Sequence, residues 1–262
     1  DAHFPKNLVT ILQGGEEVGQ ALIEASPDKV LFTGSVATGR RVAEACAKKL
    51  IPSVLELGGK DAMIVLADAD LDVASSGAVW GSYTNCGQVC LSVERLVGEQ
   101  AVAEEFAARC VEKTKKLRVG GGSDPATAVG PLIRPQHVQR MSDLVEDAVA
   151  RGAKVLCGGN PRRDLGPNFF EPTVVLGVDS SMKLFQEETF GPILAIQTVR
   201  DAEAAVRRGV TTQVIGNCGD SPAPIGDRFR ELAVRRFTYY AKAAEWTWST
   251  YGEYLASLED LG

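Results

Sequence analysis

Cys90 closes the run Asn85-Cys86-Gly87-Gln88-Val89-Cys90, and 34 positions upstream Glu56 stands in Leu55-Glu56-Leu57-Gly58-Gly59-Lys60. A thiol of ordinary pKa, about 8.5, is only slightly ionised at neutral pH, yet it is intrinsically a strong nucleophile and a nearby base makes it a better one. The two runs therefore point to thiol-based acyl chemistry, with Cys90 as nucleophile and Glu56 as base. The alternatives at these positions are a buried inert thiol at Cys90 and a capping or paired carboxylate at Glu56. Cys86 and Cys90 are close enough in sequence to share a metal, but no His or second Cys pair lies nearby at a zinc-like spacing, so no metal is expected.

The elements that must carry these residues can be read from the pattern. Residues 29–32 read as a short strand running into Gly34-Ser35, and residues 39–49 as a helix with Val42, Ala45 and Cys46 on one face. A glycine turn between strand and helix is common without a ligand, although a helix N-terminus does favour phosphate. Residues 53–57 and 62–66 are apolar runs of strand length separated by the glycine pair, which places Glu56 at a strand end. Asp68, Asp70 and Asp72 alternate as in a calcium loop, but Val73 and Val79 occupy the places where an EF-hand needs Gly and Glu. They read instead as acids at a helix N-terminus, where they complement the helix dipole.

Val102, Phe106, Cys110 and Leu117 recur at helical spacing among charged residues, which predicts an amphipathic helix with Cys110 in the core. Residues 120–125 lack the Lys-Ser/Thr ending of a Walker loop and read as a turn. Residues 136–151 read as a helix, and 154–156, 173–178 and 193–199 as strands. Strands alternating with helices predict an α/β fold with a largely parallel sheet and flanking helices.

Composition sets the outer bounds. With 262 residues, 45% of them hydrophobic, the chain can bury a substantial core. No apolar run is long enough for a membrane span, and the first seven residues do not resemble a signal peptide, so the expected location is cytoplasmic. A net charge of −6 gives no electrostatic reason to expect nucleic acid or an anionic membrane as partner. The six cysteines, Cys46, Cys86, Cys90, Cys110, Cys157 and Cys218, read as reduced thiols in a chain too large to need stapling. No G-x-S-x-G elbow occurs, and His3 and His137 are the only histidines, which argues against a Ser-His-Asp hydrolase.

The cysteine and glutamate runs together resemble the aldehyde dehydrogenase superfamily, whose catalytic cysteine closes an N-x-G-Q-x-C motif and whose general base lies in E-L-G-G-K. Phe32-Thr33-Gly34-Ser35 followed by Gly39 is similar to the family's cofactor-phosphate turn. Glu187-Glu188-Thr189-Phe190-Gly191-Pro192 is similar to its E-E-x-F-G-P segment, and Asp124-Pro125 with Gly130-Pro131-Leu132-Ile133 to a further, structural stretch. The resemblance implies that Cys90 and Glu56 are catalytic and that Gly34, Ser35, Glu188 and Phe190 contact NAD or NADP, with Glu188 on the nicotinamide ribose. For Glu188 the plainer alternative is a loop acid, and Lys60 reads as structural.

The resemblance also implies a division of the chain. Residues 1–60 would be a remnant of the cofactor-binding domain, 61–206 the catalytic domain and 207–262 an atypical tail. About two hundred residues of a typical family member have no counterpart ahead of the phosphate turn. They include most of the dinucleotide-binding sheet and an Asn that helps hold the oxyanion, a role that Asn85 does not fill. Cofactor affinity is therefore expected to fall. The tail holds seven aromatics within residues 237–254, and Ile225, Phe229, Leu232 and Tyr240 are spaced for one apolar helical face. It is expected to cover core or to form a contact between copies of the chain, giving a homo-oligomer.

Three functions follow as expectations. The first is oxidation of a small-molecule aldehyde with NAD(P). The second is cofactor-independent hydrolysis of a short activated ester through the same Cys90. The third is an inactive structural remnant.

Overall fold

The computed structural model describes Pro5, residues 8–201 and Ala204. The aromatic-rich tail, Cys218 and His3 lie outside the described residues. The chain runs α1 (Glu16–Glu24), β1 (Val30–Thr33), α2 (Val36–Lys48), β2 (Ser53–Glu56), β3 (Asp61–Val65) and α3 (Leu71–Tyr83). A 3-10 turn (Thr84–Gly87) follows, then β4 (Val93–Glu99), α4 (Ala103–Lys115), α5 (Pro135–Ala150), β5 (Lys154–Cys157), β6 (Thr173–Leu176), α6 (Lys183–Gln186) and β7 (Ile193–Val199).

Two sheets organise these elements. β1 and β2 pair in parallel, from Val30 opposite Ser53 to Thr33 opposite Glu56. The larger sheet has the order β3-β4-β7-β6-β5, and every neighbouring pair is parallel except β5 with β6. The α/β class and the largely parallel sheet agree with the sequence pattern. Ile193, Leu194, Ala195 and Ile196 form an unbroken buried run in β7, as expected of a strand covered on both faces. α3 and α4 pack on each other and against β7 and β6, and their inner faces supply Ala78, Phe106 and Cys110 to the core. Burial pushes the Cys110 thiol up to about 12, so this cysteine is inert packing.

Several elements differ from the expectation in ways that have local causes. α2 starts three residues earlier than the apolar spacing suggests, because Ser35 is its N-cap: the Ser35 Oγ accepts from the Thr38 amide at 3.2 Å. Asp70 caps α3 in the same way, accepting from the Asp72 and Val73 amides at 2.9 and 3.1 Å, and Asp72 lies in the first turn. α1 escaped the pattern because it is a surface helix that buries only Ile23. β4 escaped it because Glu94 and Arg95 interrupt its apolar run. Among the described residues, no helix is long and apolar enough to cross a membrane, and no group of three or more His, Cys, Asp or Glu is placed to hold a metal ion.

Candidate active site

The loop carrying Cys90 follows directly from the end of α3. The Thr84 Oγ1 donates to the Trp80 carbonyl at 2.6 Å, and Asn85, Cys86 and Gly87 then all turn left-handed, with φ of 51°, 59° and 70°. A Cβ at Gly87 would lie 2.2 Å from the Gly191 carbonyl oxygen, so only glycine fits where this loop meets the 187–192 segment. Left-handed Asn85 and Cys86 are costly unless their surroundings fix them. Here the Asn85 side chain donates to the Gln88 carbonyl at 3.0 Å, and the Gln88 side chain donates back to the Asn85 carbonyl at 3.2 Å.

Gln88 also anchors the loop from outside. Its Oε1 accepts from the Ile133 amide at 2.9 Å, which gives the 130–133 stretch its part in the site. Beyond Cys90, the Ser92 Oγ donates to the Gly81 carbonyl at 3.0 Å and the Ser82 Oγ to the Val93 carbonyl at 2.8 Å, stitching the entry to β4 back onto α3. Cys90 is half-buried, whereas Cys86 is buried and its thiol is pushed up to about 12 by that burial. Of the two cysteines in the motif, the geometry leaves Cys90 as the reactive candidate.

Glu56 ends β2. Because β1 and β2 are parallel, the Gly34-Ser35 turn comes off the same end of the sheet, and the Gly34 amide donates to the Glu56 carbonyl at 3.0 Å. Ligands of open α/β sheets bind beyond the carboxyl ends of the strands, which is where both sets of predicted residues stand. Ser35 spends its hydroxyl on capping α2, so its side chain is committed locally.

Gly58 and Gly59 bring the separate runs together. A Cβ on Gly59 would lie 2.6 Å from the Cys90 carbonyl oxygen, and a Cβ on Gly58 would lie 2.1 Å from the Glu188 carboxylate. The glycine pair is thus wedged between the nucleophile loop and Glu188, and the Gly59 amide donates to the Glu188 Oε1 at 3.3 Å. Partial burial holds the Glu188 carboxyl above its usual range, against the opposing pull of the Gly59 amide. The Glu188 carboxylate packs onto the Gly58-Gly59 turn, and a half-buried carboxylate has the acceptor chemistry that the paired hydroxyls of a ribose require.

Three residues of this region were not singled out by the sequence. Glu94, 4% exposed on β4, accepts from the Thr189 and Phe190 amides at 2.8 and 2.9 Å and from the Lys60 Nζ at 3.0 Å. Arg95 donates to the Lys60 carbonyl at 3.1 Å. Arg140, on α5, donates to the Glu188 carbonyl at 2.7 Å and pairs with Glu187 at 3.2 Å. The signal for Glu94 and Arg95 was a pair of charges inside an otherwise apolar strand-length run, which needs partners if it is buried. Arg140 carried no comparable signal.

The fold and the site define an α/β protein in which a cysteine loop and a carboxylate meet at a glycine pair. Comparison with known proteins narrows it: residues 1–214 match the aldehyde dehydrogenase family, and the chain belongs to that family. A Mycolicibacterium smegmatis protein provisionally named an NADP(+) succinate-semialdehyde dehydrogenase is 42% identical over 214 residues, which is 81% of this chain and 41% of the relative. The 4,4'-diapolycopene aldehyde oxidase of a Methylomonas species is 43% identical, over 78% of this chain and 37% of its own length. Among solved structures, succinate-semialdehyde dehydrogenase from Burkholderia pseudomallei superposes with a TM-score of 0.75 at 37% identity, covering 79% of this chain and 43% of that one. A Mycobacterium tuberculosis aldehyde dehydrogenase complexed with NAD+ gives 0.71 at 39% identity, over 74% and 41%. The chain spans about two-fifths of the length of the first relatives it matches.

Proposed function

We propose that this chain carries the cysteine centre of an aldehyde-oxidising enzyme, with Cys90 as nucleophile, Glu56 as general base and Glu188 holding the nicotinamide ribose of NAD or NADP. The observation that carries the reading is the wedge of Gly58 and Gly59 between the Cys90 carbonyl and the Glu188 carboxylate. It supports the reading because the run that carries Glu56 touches both the Cys90 loop and Glu188. Residues 1–60, with their separate two-stranded sheet, are read as part of the cofactor-binding domain, and residues 61–206 as the catalytic domain. Gly34 and Ser35 would lie on the phosphate side, where the first turn of α2 favours an anion, and Phe190 beside the ribose.

In the reaction, the Cys90 sulfur adds to the aldehyde carbon to give a thiohemiacetal. Glu188, with Gly34 and Ser35, would hold a nicotinamide dinucleotide that, when bound, would supply the acceptor for the hydride on this carbon, the hydroxyl proton passing to water as the adduct becomes the thioester. Glu56 then takes a proton from water as the water attacks the thioester carbonyl, releasing the carboxylic acid and returning Cys90. The relatives named for succinate semialdehyde make short aldehydes the first class to assay.

Hydrolysis of activated esters is the second reading, and one observation favours it. The Cys90 loop is stitched to α3 and β4 of the large sheet, whereas the cofactor turn depends on the two-stranded one. An ester acylates Cys90 without any hydride acceptor, so it asks less of that smaller unit. The test is to assay a short aldehyde with NAD+ or NADP+, and an activated aryl ester without cofactor, using the chain and Cys90→Ala. Cofactor reduction lost on substitution supports oxidation, and ester turnover lost on substitution supports hydrolysis. Turnover that survives Cys90→Ala overturns the assignment of the nucleophile, and silence in both assays leaves the inactive remnant.

A further inference from the structure

We propose that Glu94 is a positioning residue that sets the Glu188 carboxylate against Gly58 and Gly59, and so controls the hold on the nicotinamide ribose. The inference rests on the reading of Glu188 given above. Glu94 lies on β4 with its side chain 5% exposed, and its carboxylate ties three segments of the site together. It accepts from the Thr189 and Phe190 amides, the two that immediately follow Glu188, and from Lys60, which immediately follows Gly59. The Lys60 Nζ closes the ring by donating to the Thr189 Oγ1 at 2.9 Å.

Glu188 needs such support because its own bond is weak. The Gly59 amide reaches its carboxylate only at 3.3 Å, long for an N–H to oxygen bond. Arg140 holds the Glu188 carbonyl from one side, and Glu94 holds the next two residues from the other. Phe190 is left-handed, with φ of 50°, a conformation that persists only when its surroundings fix it. The amide of that residue is one of those Glu94 accepts.

A stability role alone does not explain a charge here. Buried ion pairs often contribute little compared with apolar packing, and burial holds the Lys60 ammonium below its ordinary range despite the attraction of Glu94. What the clasp does supply is registry between the Gly58-Gly59 turn and the residue that faces it. Gln in place of Glu94 keeps the shape, but its amide nitrogen accepts nothing. One of the two amides it faces then loses its partner, and Lys60 loses its counter-charge.

The test is a double-mutant cycle on the full chain with Glu94→Gln, Glu188→Gln and the pair, read in three ways. The readouts are NADP+ affinity by fluorescence titration, hydrogen exchange of the amides of residues 57–60, and the rate of Cys90 alkylation by iodoacetamide. If Glu94 acts through Glu188, Glu94→Gln weakens NADP+ binding roughly tenfold, and the pair is no worse than Glu188→Gln alone. Cys90 alkylation in Glu94→Gln then stays within about twofold of the parent. Losses that multiply, or alkylation that changes in step with affinity, would overturn the inference in favour of a merely structural role.

If no form binds NADP+, the ribose reading of Glu188 fails while the exchange arm still decides the positioning. Exchange accelerated equally by each single change and no further by the pair upholds it, and exchange unmoved by Glu94→Gln overturns it. Should Glu94→Gln fail to fold, Thr189→Val replaces it in the cycle with the same non-additivity expected, because it removes one bond of the clasp and leaves Glu94 paired with Lys60.

Discussion

Around the five-stranded sheet, Phe106, Leu96, Leu194 and Ile196 are fully buried, whereas around the two-stranded sheet Leu31 and Leu50 are 74% and 90% exposed. Among the described residues, the buried cluster beside the smaller sheet is Ile23, Cys46 and Ile51, with Val30, Val42 and Ala45 packed against it. The two halves of the proposed chemistry are divided between these foundations. Cys90 hangs from α3 and β4 of the deep unit, while Glu56 and the Gly34-Ser35 turn belong to the shallow one. Local stability follows the density of buried apolar contacts, so acylation at Cys90 should be more robust than any step that needs Glu56 or the cofactor turn.

Core truncation tests the contrast most strongly. Phe106→Ala is expected to cost about 3–5 kcal/mol of unfolding free energy, because its fully buried ring cannot be replaced by relaxation. Ile23→Ala, at 8% exposure in the thin cluster, is expected to cost about 2 kcal/mol, near the lower end for such changes. Denaturant titration measures both, and equal losses would break the distinction between deep and shallow units. Ser35→Ala removes the cap of α2 and is expected to cost about 1 kcal/mol. That loss should appear as faster hydrogen exchange in residues 36–39 with little change in α3.

A pH series sharpens the same contrast at the cofactor end. Burial holds the Glu188 carboxyl above its ordinary value of 4.5, so the carboxylate that would accept from ribose hydroxyls is lost on acidification sooner than an ordinary Glu would be. NADP+ affinity should therefore fall as pH drops through a midpoint above that ordinary value, and Glu188→Gln should flatten that fall. A midpoint at or below the ordinary value would detach Glu188 from the ribose.

The elements that obey a simple period were legible in the sequence. β7 reads as a strand because it is a continuous apolar run, and α5 as a helix because Val138, Met141, Leu144, Val145 and Ala148 repeat along one face. Motif spacing singles out Cys90, Glu56 and Glu188 as candidates, and in the structure the Gly58-Gly59 turn touches both the Cys90 loop and Glu188. Glu94 was not legible, because its meaning depends on Lys60, 34 residues before it, and on Thr189 and Phe190, about 95 residues after it. Burial and pairing of a charge in a strand arise from tertiary contacts that no local pattern records. The early start of α2 is also invisible to periodicity, because a cap is a property of one side chain, Ser35, rather than of a periodic face.

The most direct test of the division of labour is a rapid-mixing experiment with an activated aryl ester on the parent chain, Cys90→Ala and Glu56→Gln. The prediction is a burst of about one equivalent of leaving group in both the parent and Glu56→Gln, with steady-state turnover roughly 10²–10⁴-fold lower in Glu56→Gln, and no burst in Cys90→Ala. A burst that survives in Cys90→Ala, or steady-state turnover unchanged in Glu56→Gln, would contradict the assignment of nucleophile and base.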